Sequence, residues 1–293
     1  MDLRKELATR IDRATASEGL QPTALPGVKF IKALTATECT ENNWKSSFAI
    51  VAQGEKEVSI ANSVHITKHA HYVANLVDLA VTSRMTKAPY LALLIELDAA
   101  VMVDVARQIH FEETDEVELL THGLFMGPAD DRMFECALRI VKSMDDPDDT
   151  AVLGPLAIRE LYYLLLKSPQ GPAIRQFVSS GSRFHRIAEA IHYWRSDLSL
   201  KIEMADLAKK VGMSRTQFFR AFKEVTSMSP IQYQKRLRLI EARQLLTNED
   251  SAADEIAFKV GYKSVPQFSR EYSRFFGNPP KRDALIERAK LQG

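Results

Sequence analysis

The stretch LAKKVGMSRTQFFRAFKEVTSMSP, from Leu207 to Pro230, returns as IAFKVGYKSVPQFSREYSRFFGNPP, from Ile256 to Pro280, with one residue inserted after Tyr262. A unit written twice in this way is one supersecondary motif made twice, so the C-terminal part of the chain must fold as two like bodies. The matched positions are Leu207-Ala208, Lys210-Val211-Gly212, Gln217-Phe218, Phe222 and Pro230 in the first copy. In the second they are Ile256-Ala257, Lys259-Val260-Gly261, Gln267-Phe268, Tyr272 and Pro280.

Each copy has the grammar of a helix-turn-helix. A short helix (Met204 to Val211, Ala253 to Val260) ends at a glycine suited to the left-handed conformation that closes a helix. A serine, Ser214 or Ser264, then caps a second helix, and Pro266 is acceptable in its first turn because the N–H it lacks would have no partner there. Phe218 with Phe222, and Phe268 with Tyr272, lie four apart and share one apolar face. The opposite face of the first unit carries Arg215, Thr216, Phe219, Arg220 and Lys223; that of the second carries Gln267, Ser269, Arg270, Ser273 and Arg274, with Val265 and Pro266 at the tip. Arg, Gln, Ser and Thr are the side chains that pair with base edges in a major groove. The cap serines Ser214 and Ser264, with Lys223 and Arg274, are placed to meet phosphates.

Charge separates along the chain in the same sense. Residues 181–293 hold 21 Lys and Arg against 13 Asp and Glu, whereas residues 1–180 hold 18 against 25. The basic part is expected to meet a polyanion, double-stranded DNA, and the acidic part to do something else.

Between the two units, Pro230 to Leu246 reads as one helix with no internal Gly or Pro and two apolar stripes, Tyr233, Leu237, Ile240 and Leu239, Ala242, Leu246. Its length, roughly 24 Å at 1.5 Å per residue, together with the width of the lobes, brings two recognition helices to about one turn of DNA, roughly 34 Å. Lys235, Arg236, Arg238 and Arg243 on this helix admit two readings, phosphate contacts or a solvated face.

The N-terminal part has a different rhythm. Phe48 to Gly54, Val58 to Ile60 and Asn75 to Val81 alternate or run apolar, with polar turns such as Gly54-Glu55-Lys56, as in a small β sandwich or barrel. Ala99 to Ile109, Arg132 to Met144 and Val152 to Leu166 carry apolar residues at helical spacing. Asp145 to Asp149 is read as a loop whose charges favour the next helix start, and Ser168 to Ser182, opened by Ser168-Pro169-Gln170-Gly171-Pro172, as a hinge. The longest apolar runs, Pro89 to Ile95 and Leu161 to Leu166, fall far short of the eighteen or more residues that cross a bilayer, and Met1 to Arg13 lacks the apolar region of a secretion signal, so no membrane partner and a cytoplasmic location are expected.

The last hundred residues resemble the DNA-binding domain of the AraC/XylS family of bacterial transcription regulators. The markers are Ala205-Asp206-Leu207-Ala208, Val211-Gly212-Met213-Ser214, Ser229-Pro230, Ala242-Arg243, Val260-Gly261-Tyr262, Phe268-Ser269-Arg270 and Phe275-Phe276-Gly277-Asn278-Pro279-Pro280. The N-terminal part is similar to a sensor region found in a subgroup of these regulators, at Phe48 to Lys56, Ala88 to Leu93, Leu97-Asp98, Leu153-Gly154-Pro155 and Arg159 to Tyr163. The resemblance implies an α+β, multidomain chain. A cupin-like β barrel with appended helices (1–170) is joined by a linker (171–182) to an all-α domain of two helix-turn-helix lobes on a long helix (183–293). It implies a regulator, of the activating kind, that binds a promoter or operator, meets RNA polymerase, answers a small-molecule effector and forms a homodimer. Carried over by position, base contacts fall on Thr216, Phe219 and Arg220 and on Pro266, Ser269 and Arg270. Phe219 and Pro266 depart from the commoner polar choices and offer only van der Waals contact, for example to thymine methyls.

Two other classes remain open on the sequence. His69-Ala70-His71, with His65 nearby, has the alternation that aims imidazoles at one face, as in a metal-dependent cupin enzyme, but Tyr72 to Val77 contains no carboxylate to complete a site. No metal, no other cofactor and no catalytic residue is expected. A protein-binding helical half is the other alternative, and it would show no salt-dependent DNA affinity. Cys39 and Cys136 are too few for a disulfide framework; Cys136 lies on the amphipathic pattern Phe134 to Leu138 and reads as a buried thiol. An apolar cavity around Ile50, Ile60 and Leu79 is the expected effector site, with Tyr72 and Tyr90 as further candidates for its lining.

Overall fold

The computed structural model describes residues 2–60, 63–110, 123–179, 181–196, 203–249 and 251–292. A first helix, α1 (Leu3–Ala14), precedes strands β1 (Gly19–Pro22), β2 (Val28–Ala33), β3 (Thr40–Trp44), β4 (Ser47–Ile60), β5 (Ser63–Lys68), β6 (His71–Asn75) and β7 (Leu79–Glu96). Helix α2 (Ala99–Gln108) and strand β8 (Leu124–Pro128) follow, then α3 (Asp131–Ser143), α4 (Pro147–Lys167), α5 (Gly171–Val178) and α6 (Arg183–Ser196). The duplicated region forms α7 (Met204–Lys210), α8 (Arg215–Thr226), α9 (Pro230–Asn248), α10 (Ala253–Lys259), α11 (Val265–Phe276) and α12 (Pro280–Gln292).

The strands make one antiparallel sheet in the order β1-β2-β7-β4-β6-β8, with β3 added on β7 and β5 on β4. Its two long strands pair with each other, and each serves two further partners: β4 pairs β6 through Ser47 to Ile50 and β5 through Glu55 to Ile60, while β7 pairs β3 through Leu79 to Ser83 and β2 through Tyr90 to Ile95. Where the partners change, three register shifts run from Val51 to Lys56. Bulges of this kind bend and twist a ribbon, which lets one sheet curl toward a barrel. Gly54 sits in that bend at φ +85°, and a Cβ there would lie 2.6 Å from the Lys87 carbonyl oxygen, so only glycine fits.

Four local expectations take a different form. Gly54-Glu55-Lys56 is no turn but the bulged middle of β4. The strand expected over Asn75 to Val81 is broken at 76–78, where the Asp78 carboxylate accepts the Ser46 N–H at 2.6 Å and the Leu76 N–H donates to the Gly123 carbonyl. These bonds satisfy backbone groups that a continuous ladder would otherwise have to pair. The acidic stretch is mostly helix: Asp146 caps α4, and Pro147, Asp148 and Asp149 form its first turn. The expected linker 171–182 contains α5, whose Ile174 and Phe177 are fully or nearly buried.

That burial joins the two halves. A row of aromatic contacts runs from Phe125 on β8 to Phe177 on α5 (5.5 Å between ring centres) and on to Phe184 on α6 (4.6 Å). Further along α6, Trp194 packs on Phe222 of α8 and Tyr233 of α9. The sheet, α1 to α6 and the first helix-turn-helix unit thus share one apolar core. The second unit has its own core, built from Leu239, Ala242, Leu246, Ile256, Val260, Phe268 and Tyr272.

Candidate nucleic-acid interface

Both turns form as the spacing requires. Gly212 and Gly261 take left-handed φ values of +67° and +89° after α7 and α10. The Ser214 hydroxyl accepts the Gln217 N–H while the Gln217 side chain accepts the Ser214 N–H, a reciprocal capping box; Ser264 caps α11 through the Gln267 N–H alone. Ser214→Ala is expected to cost about 1 kcal/mol, read as a lower chemical-denaturation midpoint with an unchanged slope. Ser229 and Gln232 form a second capping box at α9, which the S-x-x-Q spacing would have revealed.

The two second helices bury one face and expose the other. On α8, Phe218 and Phe222 are fully buried, whereas Ser214, Arg215, Thr216, Arg220 and Lys223 are exposed. Phe219 is half-buried beside Phe218, with the Arg215 guanidinium 5.6 Å over its ring. On α11, Phe268 and Tyr272 are buried; Pro266, Gln267, Arg270 and Arg274 are exposed, and Ser264 and Ser269 partly so. Arg220 lies back along its helix, its Nε donating to Glu224 at 3.1 Å, and Glu224 also faces Arg183 on α6 at 3.1 Å. An exposed pair of this type is worth only a few tenths of a kcal/mol, so Arg220 is easily drawn to a stronger partner.

The cations of α9 have partners within the protein that neither reading named. Lys235 pairs with Glu271 of α11 at 2.9 Å, and Arg236 reaches into the sheet to bond Glu41 of β3 and Thr82 of β7. Arg243 forms two bonds to Asp283 of α12, at 2.8 and 3.1 Å, and pairs with Glu287 at 3.0 Å; Arg238 is half-buried. Three of them tie α9 to its neighbours, Lys235 while remaining exposed and Arg236 and Arg243 from partly buried positions. Tyr233 adds a bond from its hydroxyl to the Asp78 carbonyl at 2.8 Å, and the Gly123 N–H donates to the Val225 carbonyl at 2.8 Å. The first unit is therefore fastened to the sheet by both apolar and polar contacts.

In the N-terminal part, the His71 Nδ1 lies 3.2 Å from the Lys68 carbonyl, and the His65 Nε2 is buried without a partner; burial holds the His65 imidazole below its usual pKa. Among the described residues no group of three or more His, Cys, Asp or Glu is arranged to hold a metal. Cys136 is buried with its Sγ 3.0 Å from the Ala157 carbonyl, and burial, then the charge of Glu160, push its thiol up to about 12; Cys39 is exposed. Ile50, Ile60 and Leu79 are buried in the shared core. Tyr72 stacks on Phe48 and bonds Ser168 and Gln170 near α5, while Tyr90 is buried on the sheet. No helix among the described residues is long and apolar enough to cross a membrane.

A curled antiparallel sheet with appended helices, followed by two helix-turn-helix units on one connecting helix, defines a double helix-turn-helix type of protein with an added N-terminal domain. The family model for the AraC-type transcriptional regulator N-terminus matches residues 24–173, and a helix-turn-helix domain model matches residues 207–283. The chain belongs to the AraC-type transcriptional regulators. Among curated relatives it is 36% identical over 101 residues to the HTH-type transcriptional regulator GbdR of Pseudomonas aeruginosa strain UCBPP-PA14, covering 34% of this chain and 28% of that one. It is 29% identical over 106 residues to the HTH-type transcriptional activator RhaS of Pectobacterium carotovorum, covering 36% and 38%. The matches thus span well under half the length of these relatives. Among solved structures, an apo point variant of ToxT from Vibrio cholerae strain SCE256 superposes with a TM-score of 0.61 at 10% identity, covering 90% of this chain and 99% of that one, a likeness of fold.

Proposed function

We propose that the chain is a sequence-specific DNA-binding transcription regulator, cytoplasmic and activating, whose N-terminal domain answers a small-molecule signal. The observation that carries this reading is the repeated one-sided burial of α8 and α11. Each hides one aromatic pair, Phe218 with Phe222 or Phe268 with Tyr272, and leaves a polar, cationic face exposed, in the basic part of the chain. On this reading Arg215, Thr216, Phe219 and Arg220 and then Pro266, Gln267, Ser269 and Arg270 meet base edges, while Ser214, Lys223, Ser264 and Arg274 meet phosphates. Membership of the family supports promoter binding and, with it, contact to RNA polymerase and pairing of two copies. The bonds from Arg236 and Tyr233 to the sheet give a ligand in the N-terminal domain a route to the first lobe, provided it binds one arrangement better than the other. On this reading 1–170 and 183–293 divide the roles, with α5 packed between them.

Fluorescence anisotropy on a DNA site selected from random sequence tests the reading. Binding should weaken steeply with salt, and Lys223→Ala should weaken all sequences alike and reduce the salt slope by about one. Affinity that is absent, or that does not change with salt, rejects it in favour of a protein-binding helical half.

A further inference from the structure

The first helix-turn-helix unit borders a cleft that the DNA contacts named above leave out. It opens between α6 and α8, holds about 410 Å³, and is lined by Arg183 and Arg186 of α6, Gln217, Arg220 and Glu224 of α8, and Met213 in the turn before α8. Among the described residues three guanidiniums there face one carboxylate, so the cleft is cationic. The donors of the α6 pair are largely uncommitted. Arg183 Nη1 lies 3.1 Å from Glu224 Oε2, yet that oxygen accepts no hydrogen bond among the described residues, so the pair is a proximity of charges only. Arg186 commits one donor, from Nη1 to the Gly212 carbonyl at 2.8 Å. A guanidinium carries five N–H donors in a planar fork that matches the oxygens of a phosphate.

The second unit shows the same place closed. In the repeat Phe218 matches Phe268, so Ala221 matches Glu271, and α6 precedes the first unit as α9 precedes the second. Glu271 pairs with Lys235 of α9 at 2.9 Å and accepts the Tyr262 hydroxyl at 3.0 Å. One cation is matched by one carboxylate there. In the first unit an alanine stands where that carboxylate would be, and two arginines of α6 face the gap.

Size places this cleft relative to DNA. A helix with its side chains is roughly 10–12 Å across and the major groove roughly 12 Å wide, so a recognition helix fills the groove and groups beside it meet the phosphates of the wall. Arg220 lies on the exposed face of α8 and also borders the cleft, which puts Arg183 and Arg186 beside that face and not behind it. We propose that Arg183 and Arg186 hold one backbone phosphate of the bound duplex, at the edge of the segment that α8 enters, and that the second unit has no counterpart to this seat. The proposal rests on the DNA-binding reading above and adds to it a contact from outside both helix-turn-helix units. A contact made by one unit only also distinguishes the two ends of the DNA site.

Anisotropy titrations of the full chain on a selected DNA site and on unselected duplex test it. Arg183→Gln combined with Arg186→Gln should weaken binding to both alike and reduce the salt slope by about 0.9, so that between about 50 and 200 mM salt the parent loses about threefold more affinity than the variant. Replacing phosphates of the selected site one at a time with methylphosphonate should reveal one position that weakens the parent and leaves the double variant unaffected. Lys235→Gln, which removes a charge already matched within the protein, should keep the parent slope. An unchanged slope in the double variant, no phosphate whose effect depends on the two arginines, or an equal loss of slope in Lys235→Gln overturns the proposal. If Arg186→Gln loosens the turn at Gly212, seen as a lower melting temperature, Arg183→Gln decides alone in the phosphate scan, because it breaks no hydrogen bond. A parent that binds no DNA rejects the DNA-binding reading and the seat with it. A parent that binds with steep salt dependence, matched by the double variant, rejects only the seat.

Discussion

Replacing Asp283 with alanine is expected to unfold the second helix-turn-helix lobe while the rest of the chain stays folded. Asp283 is 1% exposed on α12 and accepts bonds from the Arg243 guanidinium and the Tyr272 hydroxyl, the latter at 2.9 Å. Burial, and then the neighbouring Asp283 charge, push the Tyr272 phenol far above its usual range, so it remains a donor at every accessible pH. Deleting the carboxylate leaves a buried hydroxyl without its acceptor and a mostly buried guanidinium with Glu287 as its remaining partner, a loss of about 3 kcal/mol. Because this lobe has a core of its own, the loss is not shared with the rest of the molecule. Both tryptophans, Trp44 and Trp194, lie outside the lobe. In urea, the helical signal in circular dichroism should therefore fall well before tryptophan fluorescence changes. Coincident transitions for the two probes would show that the lobe does not melt independently.

The second large effect concerns DNA. Arg220→Ala and Arg270→Ala should each cost about 1–3 kcal/mol of operator affinity, roughly 5- to 150-fold, and relax base preference at one position each. The two are not equivalent before DNA arrives. Arg220 must first leave Glu224, so Glu224→Gln should tighten binding slightly, by a few tenths of a kcal/mol, through Arg220 alone. Equal losses on selected and random DNA for Arg220→Ala would assign that arginine to the phosphates instead.

What could be read beforehand was what short-range chemistry encodes. Gly212 and Gly261 mark the turns, Ser214 and Ser264 mark the helix starts, and aromatic residues four apart mark the buried faces; each signal acts within one helical turn. The reading failed where a side chain's partner lies far along the chain. Arg236 looks like any helix-surface arginine until β3 brings Glu41 against it, and Arg243 looks the same until α12 delivers Asp283. The breaker cluster at Ser168 to Pro172 correctly ends α4 but says nothing of mobility. Gly171 is required there by close packing, since a Cβ would meet the Leu166 carbonyl at 2.0 Å, and the chain then enters another buried helix. Lys56, in a run of alternating charge, reads as a turn residue; only three register shifts in the β4–β7 ladder turn it inward.

The continuity of apolar packing from Phe125 to Tyr233 bears on how this protein can be dissected. Excising the DNA-binding part at residue 183 would strip Phe184 of Phe177 and Tyr233 of its bond to Asp78, exposing aromatic surface that sticks to other chains. Chimaeras that graft this reader onto a foreign receptor should therefore carry α5 with it and provide a substitute for the β3–β7 edge. The second lobe, by contrast, is exchangeable as a cassette of α10 to α12 with the Leu239, Ala242 and Leu246 side of α9, provided Tyr233, Arg236, Leu237 and Ile240 are kept, so the downstream half of a binding site can be reprogrammed without rebuilding the receptor.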